Sequence, residues 1–330
     1  MKRVYGILVV LILAAAGWLM AQAPVTEPLT EKEVVNLLKS KQSSAQMVPV
    51  IEQRGVNFEM NPEAEKKLRK AKADDQFIEV VRNAGPSARA ARGDENREIW
   101  AVVSELDPDR TIQMVSDFEK KHPDSRGLTH VYAAAGVAYA RKEATAQAIE
   151  YGEKSLKLDP QNLRALLLLA PILPQPRVLA SGGLDKEKKL ADAESYAQRA
   201  LLLIEQLPKQ PSETDDQFQR RKAEIGAEMH SALGLVHLER ATMQLQGVNR
   251  EELAKAEEEY QVAVSSVAQP IPQDYFRLGE VRMMLDKLDG AIEAFTRASE
   301  LGAGTIIKTK ADELIGDLNK RKPQTPPAKQ

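Results

Sequence analysis

The chain of 330 residues contains no cysteine. This excludes disulfide bonds, thiol nucleophiles, cysteine-ligated zinc, iron–sulfur clusters and a lipid anchor carried on a cysteine. Aromatic residues make up only 5% of the chain, and 46 basic residues nearly balance 48 acidic ones. A nucleic-acid-binding protein needs a strongly basic face. The charge balance therefore gives no reason to expect a nucleic-acid partner.

Long runs of β-branched residues are also scarce, whereas alanine, leucine, glutamate and lysine are plentiful. These abundant residues are the ones with the highest intrinsic helix propensity. The composition therefore predicts an all-α protein.

The first 23 residues have the layout of a secretory signal peptide. Lys2 and Arg3 precede an apolar run over 7–16, and Ala21-Gln22-Ala23 supplies the small residues of a cleavage site. The alternative is an uncleaved membrane anchor, because the apolar segment 4–20 reaches the lower limit of a spanning helix, about 17 residues. We expect a periplasmic or secreted protein, or one anchored by this segment. Contact with a membrane is expected only if the segment is uncleaved.

Residues 26–84 carry the start and stop signals of four short helices. Thr30 and Glu33 form a capping-box pattern, and Gly55 has the place of a helix C-cap. Pro62 follows Asn61 at a first helical position, and Asp74 or Asp75 begins the fourth helix. The segment predicts a small four-helix module that acts as a spacer, a cap or a docking module. The breakers and small residues of 85–95 predict a linker after it.

The region 96–304 contains helical hairpins of about 34 residues. In the hairpin that begins at Thr129, aromatic and small residues recur at set positions, and a proline closes the unit: Tyr132, Gly136, Tyr139, Ala148 and Pro160. A second hairpin begins at Pro272 and has the same phase: Tyr275, Leu278, Gly279, Ala291, Phe295 and Ala298.

Both hairpins resemble the tetratricopeptide repeat. The resemblance implies an all-α fold of helical hairpins in a right-handed superhelix, here preceded by the small module. A helix over 305–322 would cap the array, and the tail 323–330 is predicted to be disordered.

Three features depart from the regular repeat. Trp100 is predicted to lie in the core of a degenerate first unit. Between Ala170 and Ala193 there are too many residues for one hairpin, and the prolines there predict an irregular loop. Between Gly234 and Ala256 the excess contains no early breaker, so a longer first helix is expected.

No constellation of side chains indicates catalysis, a metal or a cofactor. His230 and His237 lie seven residues apart, whereas a metal pair on one helix prefers three or four. The sequence also contains no glycine-rich phosphate loop and no serine nucleophile elbow. We therefore expect a protein that is not an enzyme and has no cofactor.

The resemblance also implies a binding surface, because the first helix of each hairpin (helix A) lines the concave groove of such arrays. Carried over by position, this face holds ten candidate contact residues: His130, Val137, Arg141, Leu235, Glu239, Phe276, Arg277, Glu280, Met283 and Met284. Glu228 and Ser231 lie on the same face.

The expected function is a scaffold or adaptor in the cell envelope that binds a peptide or helix of a partner protein. The alternatives are a self-assembling structural component, which would be a homo-oligomer, and an accessory subunit of an envelope enzyme or secretion complex.

Overall fold

A computed structural model describes residues 27–39, 44–181, 185–210, 212–243 and 247–321. These ranges are helical and contain no strand, and Leu29 and Val56 form one isolated bridge. The all-α prediction is thus confirmed. The predicted signal segment 1–23 and the predicted tail 323–330 lie outside the described residues. Among the helices that are described, none combines the length and the apolar character needed to cross a membrane.

The described residues divide into two compact units, 27–104 and 105–321. The first unit consists of five helices over its described residues: α1 (Glu31–Lys39), α2 (Ser44–Arg54), α3 (Pro62–Lys70), α4 (Asp75–Asn83) and α5 (Pro86–Ser104).

Local capping explains where three of these helices begin. The backbone N–H of Thr30 donates to Glu33 Oε2 at 2.7 Å, and that of Glu33 donates back to Thr30 Oγ1 at 3.3 Å. Asn61 accepts from the backbone at the start of α3, and Asp74 does so at the start of α4. Gly55 ends α2 with a φ of 68°, in the left-handed region that favours glycine.

Helix α5 crosses the range 85–95 that the sequence predicts as a linker, and the units divide after Ser104 instead. Its first turn is held by residues distant in the chain, because the backbone N–H of Ser87 donates to Glu59 Oε1 at 2.7 Å. Arg89 Nη2 donates to the carbonyl of Val56 at 2.8 Å. Trp100, predicted in the core, lies on this helix and is 51% exposed. That prediction is wrong.

The second unit consists of eleven helices over its described residues: α6 (Pro108–Lys121), α7 (Leu128–Arg141), α8 (Thr145–Leu158), α9 (Leu163–Ile172), α10 (Pro176–Ser181), α11 (Lys186–Glu205), α12 (Asp215–Thr242), α13 (Arg250–Ser265), α14 (Pro272–Met284), α15 (Leu288–Leu301) and α16 (Ile306–Arg321). Packing follows chain order, so α7 pairs with α8, α9 with α11, α12 with α13 and α14 with α15, while α16 covers α15.

Two hairpins of the array are irregular, and the structure agrees in part with what the sequence predicts for them. The proline-rich insertion holds the short helix α10 where the sequence predicts an irregular loop, and residues 182–184 of that loop lie outside the described residues. Helix α12 has 28 residues and extends beyond the repeat at its N-terminal end. At its other end it reaches Thr242, and residues 244–246 of the predicted extension lie outside the described residues.

Glycines at the repeat position predicted for them allow the two helices of a hairpin to touch. A Cβ atom on Gly234 would lie 2.9 Å from the ring of Tyr260 on the partner helix, and one on Gly279 would lie 2.7 Å from Phe295. A Cβ atom on Gly136 would lie 3.2 Å from the carbonyl oxygen of Ala148 on its partner helix α8, and 2.6 Å from Leu168 on α9 of the next hairpin. Such distances are too short for any side chain, so each glycine sets how closely its helix is approached.

Two glycines of α12 offer a matched test. We expect Gly234→Ala to lower the free energy of unfolding by about 2 kcal/mol, because the methyl group overlaps a buried aromatic ring. Gly226→Ala should instead raise it by about 0.5–1 kcal/mol, because nothing lies within 4 Å of its Cβ position and alanine favours helix. Urea denaturation of both variants measures the difference. Equal effects would contradict the close approach at Gly234.

Candidate functional site

Two of the ten predicted contact residues are buried in the core. Val137 is 2% exposed and packs with Leu168, and Phe276 is 8% exposed. The ring of Phe276 lies edge-on to that of Phe295, with centroids 5.4 Å apart. Both side chains are packed into the core, so the predicted face needs correction at these two positions.

The candidates on α7 serve local structure. Asn162 Nδ2 lies 3.3 Å from His130 Nδ1, and burial lowers the pKa of His130. Arg141 Nη1 donates to the carbonyl oxygen of Leu106 at 2.8 Å, which ties the end of α7 to the segment before α6. Both side chains are partly buried, and both have a partner within the unit.

The candidates on α12 and α14 come together. Arg277 Nη1 lies 2.8 Å from Glu280 Oε2 on the same helix. Burial raises the pKa of Glu239 on α12, the positive charge of Arg277 opposes that rise, and the charge of Glu280 adds to it. Leu235, Met283 and Met284 are half-buried beside these charges. The predicted face is therefore a mixed apolar and charged surface where two helices A are neighbours.

A buried acid that position-by-position reasoning missed belongs to the same face. Asp274, on α14, is only 5% exposed and accepts a hydrogen bond from Ser231 Oγ on α12 at 2.6 Å. Burial raises the pKa of Asp274 to about 6. In the repeat, Asp274 occupies the position that faces the preceding helix A. Its partner Ser231 is 43 residues away in the chain, so the pattern of neighbouring residues does not predict this hydrogen bond.

Glu228 lies one helical turn before Ser231. As a whole residue it is half-buried, but its carboxyl oxygen Oε1 is buried and has no hydrogen-bond partner among the described residues. Burial and the charge of Asp274 raise the pKa of Glu228 to about 8. Two carboxyl groups on neighbouring helices therefore share a poorly hydrated site.

Tyr260 lies beneath these groups. It belongs to α13, is 1% exposed and packs its ring against Gly234. Burial raises its pKa, and the charges that act on its hydroxyl come from Asp274, Arg277, Glu280 and Glu239. We call Glu228, Glu239, Asp274 and Glu280 the acidic cluster. Among the described residues, the positive charges of Arg277 and Lys186 act on Glu239, and Arg277 also pairs with Glu280.

The two histidines of α12 are paired with glutamates. His230 Nδ1 lies 2.6 Å from Glu259 Oε2, and His237 Nδ1 lies 2.7 Å from Glu252 Oε2. These pairs join α12 to α13. Within the ranges that the structure describes, no group of three or more side chains is arranged to hold a metal ion.

No protein-family model matches the chain, and no curated protein matches it either. Among solved structures, a double mutant described as MamA RS-1 ArsTM is 19% identical, with a TM-score of 0.39 over 66% of this chain and 95% of its own. A thermophilic TPR protein of Thermus thermophilus is 16% identical, with a TM-score of 0.38 over 67% of this chain and 98% of its own. Yeast Tom70 is 14% identical, with a TM-score of 0.34 over 88% of this chain and 60% of its own.

Similarities this low carry no argument by themselves, and the architecture rests on the hairpins of the chain itself. The second unit is a tetratricopeptide-like array. Its paired helices, the contacts of Gly234 with Tyr260 and of Gly279 with Phe295, and the capping helix α16 carry that assignment.

Proposed function

We propose that this chain is a non-enzymatic docking protein that binds a peptide or helix of a partner protein on the face shared by α12 and α14. One observation carries the proposal. Leu235, Met283 and Met284 are half-buried on the face that helices A present, and they are interleaved with the acidic cluster. An interface centre needs apolar side chains, and polar groups around it supply specificity. Methionine side chains adapt readily to a varied ligand.

The proposed location is the cell envelope, outside the cytoplasm, on the strength of the signal-like layout of residues 1–23. The mass of the protein isolated from membrane and soluble fractions tests this. A cleaved chain in the soluble fraction supports export, and an intact chain in the membrane fraction supports anchoring. An intact chain in the cytoplasm would contradict both.

Site-specific photocrosslinking in cells that express the protein tests the docking face. A photoreactive phenylalanine analogue at Leu235 or Met284 should capture a distinct partner protein. The matched control is the analogue at Leu202 on α11, which is 68% exposed. Capture at Leu202 alone, or equally at all three positions, would show that binding occurs elsewhere.

Self-assembly is the second candidate, and exposed apolar residues near the end of the array favour it. Ile306 is 64% exposed and Leu301 is 46% exposed. Because repeat arrays need a polar outer face at their ends, such residues are better explained by a contact. Light scattering over a concentration series decides between the candidates, since a strict monomer excludes assembly.

A further inference from the structure

Glu228 and Asp274 differ from the other partly buried acids around α12. Glu259 and Glu252 are paired with histidines, and Glu194 accepts from Arg240 Nη1 at 2.6 Å. Within the described ranges, no basic side chain forms an ion pair with Glu228 or with Asp274. Among the described residues, Asp274 accepts a hydrogen bond from the hydroxyl of Ser231, and Glu228 Oε1 has no hydrogen-bond partner.

A buried carboxylate without a counterion is costly, and folded proteins pair such groups or bind a ligand there. Here the charge of Asp274 acts on Glu228 and adds to the cost. A buried carboxyl oxygen with no hydrogen-bond partner among the described residues leaves a place for a group from outside them.

The surroundings specify the chemistry of that partner. Glu228, Ser231, Leu235 and Glu239 are spaced by three, four and four residues, so they form one stripe along α12. Asp274, Arg277 and Glu280 form the facing stripe on α14. Carboxyl groups stand at both ends, with Leu235 between them. Eleven residues of helix separate Glu228 from Glu239, which is roughly 16 Å, the length of about five residues of extended chain.

We infer that Glu228 and Asp274 receive the lysine or arginine side chain of a basic segment docked on this face, with its apolar part against Leu235. This deepens the proposed function and rests on it. A second cationic side chain about five residues further along would reach Glu239 and Glu280. Charge complementarity favours this basic segment over other ligands. A neutral segment would leave the buried acids unpaired, and an acidic segment would be repelled by them.

Titration calorimetry with the full chain and two synthetic peptides tests the inference. The probe is a capped ten-residue peptide of alanine and leucine with two lysines five positions apart, and the control carries glutamates at those positions. The lysine peptide should bind and the glutamate peptide should not. Glu228→Gln and Asp274→Asn should each weaken binding at least tenfold. Glu224→Gln, an exposed acid four residues away on α12, should change it less than twofold.

A proton balance separates this site from a general acidic surface. A cation binds the ionised carboxylates, so binding should expel protons from groups whose pKa values lie near 6 and 8. Affinity should therefore rise from pH 6 to pH 9, and the measured heat should depend on the ionisation enthalpy of the buffer. Tyr260 of α13 is the other titratable group beside Asp274, and it stays protonated throughout, because burial raises its pKa well above the ordinary value. Glu228→Gln should remove most of the proton release while leaving the melting temperature undiminished at pH 8.

Any one of four results would overturn the inference. Equal binding by wild type and Glu228→Gln would show that the buried acids take no part. Removal of residues 322–330 could raise peptide affinity tenfold, which would identify the lysines of this chain's own tail as the occupant. Calcium or magnesium alone could bind in the micromolar range and release the protons, which would make this a metal site. If the lysine peptide fails while crosslinks at Leu235 and Met284 persist, this inference is wrong and the docking face remains. If the lysine peptide does not bind and the crosslinks at Leu235 and Met284 are also absent, the proposed function is wrong as well.

Discussion

Replacing Phe295 with alanine is expected to lower the free energy of unfolding of the second unit by about 3–5 kcal/mol. The ring is fully buried on α15, lies edge-on to Phe276 and fills the space above Gly279. It also belongs to the cluster that joins α14 and α15 to the capping helix α16 through Ala311 and Leu318. Truncation would remove contacts to three helices at once and leave a cavity that the glycine cannot fill.

The location of the damage is as informative as its size. Repeats contact only their neighbours in such arrays, so the loss should be concentrated at the C-terminal end. Hydrogen exchange should accelerate in α14, α15 and α16 and change little in α7 and α8. The matched control is Ile306→Ala, an exposed apolar residue of α16 expected to change stability by less than about 0.5 kcal/mol. Uniform acceleration across the unit would contradict nearest-neighbour coupling.

The second large effect concerns pH. The pKa of Glu228 is raised from 4.5 to about 8 in the folded protein. The folded state therefore holds this proton more tightly than the unfolded chain, and the associated stability is fully present below about pH 4.5. It is lost as pH rises through about 8, because the carboxylate must then ionise in a poorly hydrated site next to Asp274. Stability should thus fall between pH 5 and pH 9.

Glu228→Gln removes this penalty, since the amide has similar shape and no charge. The free energy of unfolding of the variant should equal that of wild type near pH 4 and exceed it by up to about 5 kcal/mol at pH 9, at 1.36 kcal/mol for each pKa unit between 4.5 and about 8. Urea denaturation at several pH values measures the difference, with exposed Glu224→Gln as a control that should follow wild type throughout. A constant difference at all pH values would show that Glu228 ionises normally. If Glu228→Gln is more stable yet binds the lysine peptide less well, then Glu228 lowers the stability of the protein and contributes to ligand binding.

Helix type and many helix ends could be predicted from local signals, because those signals act between near neighbours. Thr30 with Glu33, and Asn61 and Asp74 at their helix starts, satisfy backbone groups within three residues. The start of α5 could not be predicted in this way. Its capping residue Glu59 lies 28 residues before Ser87 in the chain. Gly85 and Pro86 were therefore interpreted as the end of a helix, whereas Pro86 is the first residue of α5.

The candidate site also depends partly on local sequence signals and partly on contacts between segments distant in the chain. The resemblance to the tetratricopeptide repeat implies which positions face the groove, and this placed Leu235, Glu239, Arg277 and Glu280 on one surface. It does not determine what lies against that face. Phe276 turned out to be buried because its ring packs on Phe295, and Val137 because α9 covers it with Leu168.

The sequence by itself determined the class of this protein: helical, built from hairpins whose phase is marked by small residues such as Gly136 and Gly279, and free of cysteine chemistry. Only the tertiary structure decided which side chains are available and which carboxyl groups meet. Asp274 of α14 reaches α12 through its hydrogen bond with Ser231, one helical turn from Glu228, and burial raises the pKa values of both acids. Burial is a property of all the chain segments around a group, so residue order alone does not express it.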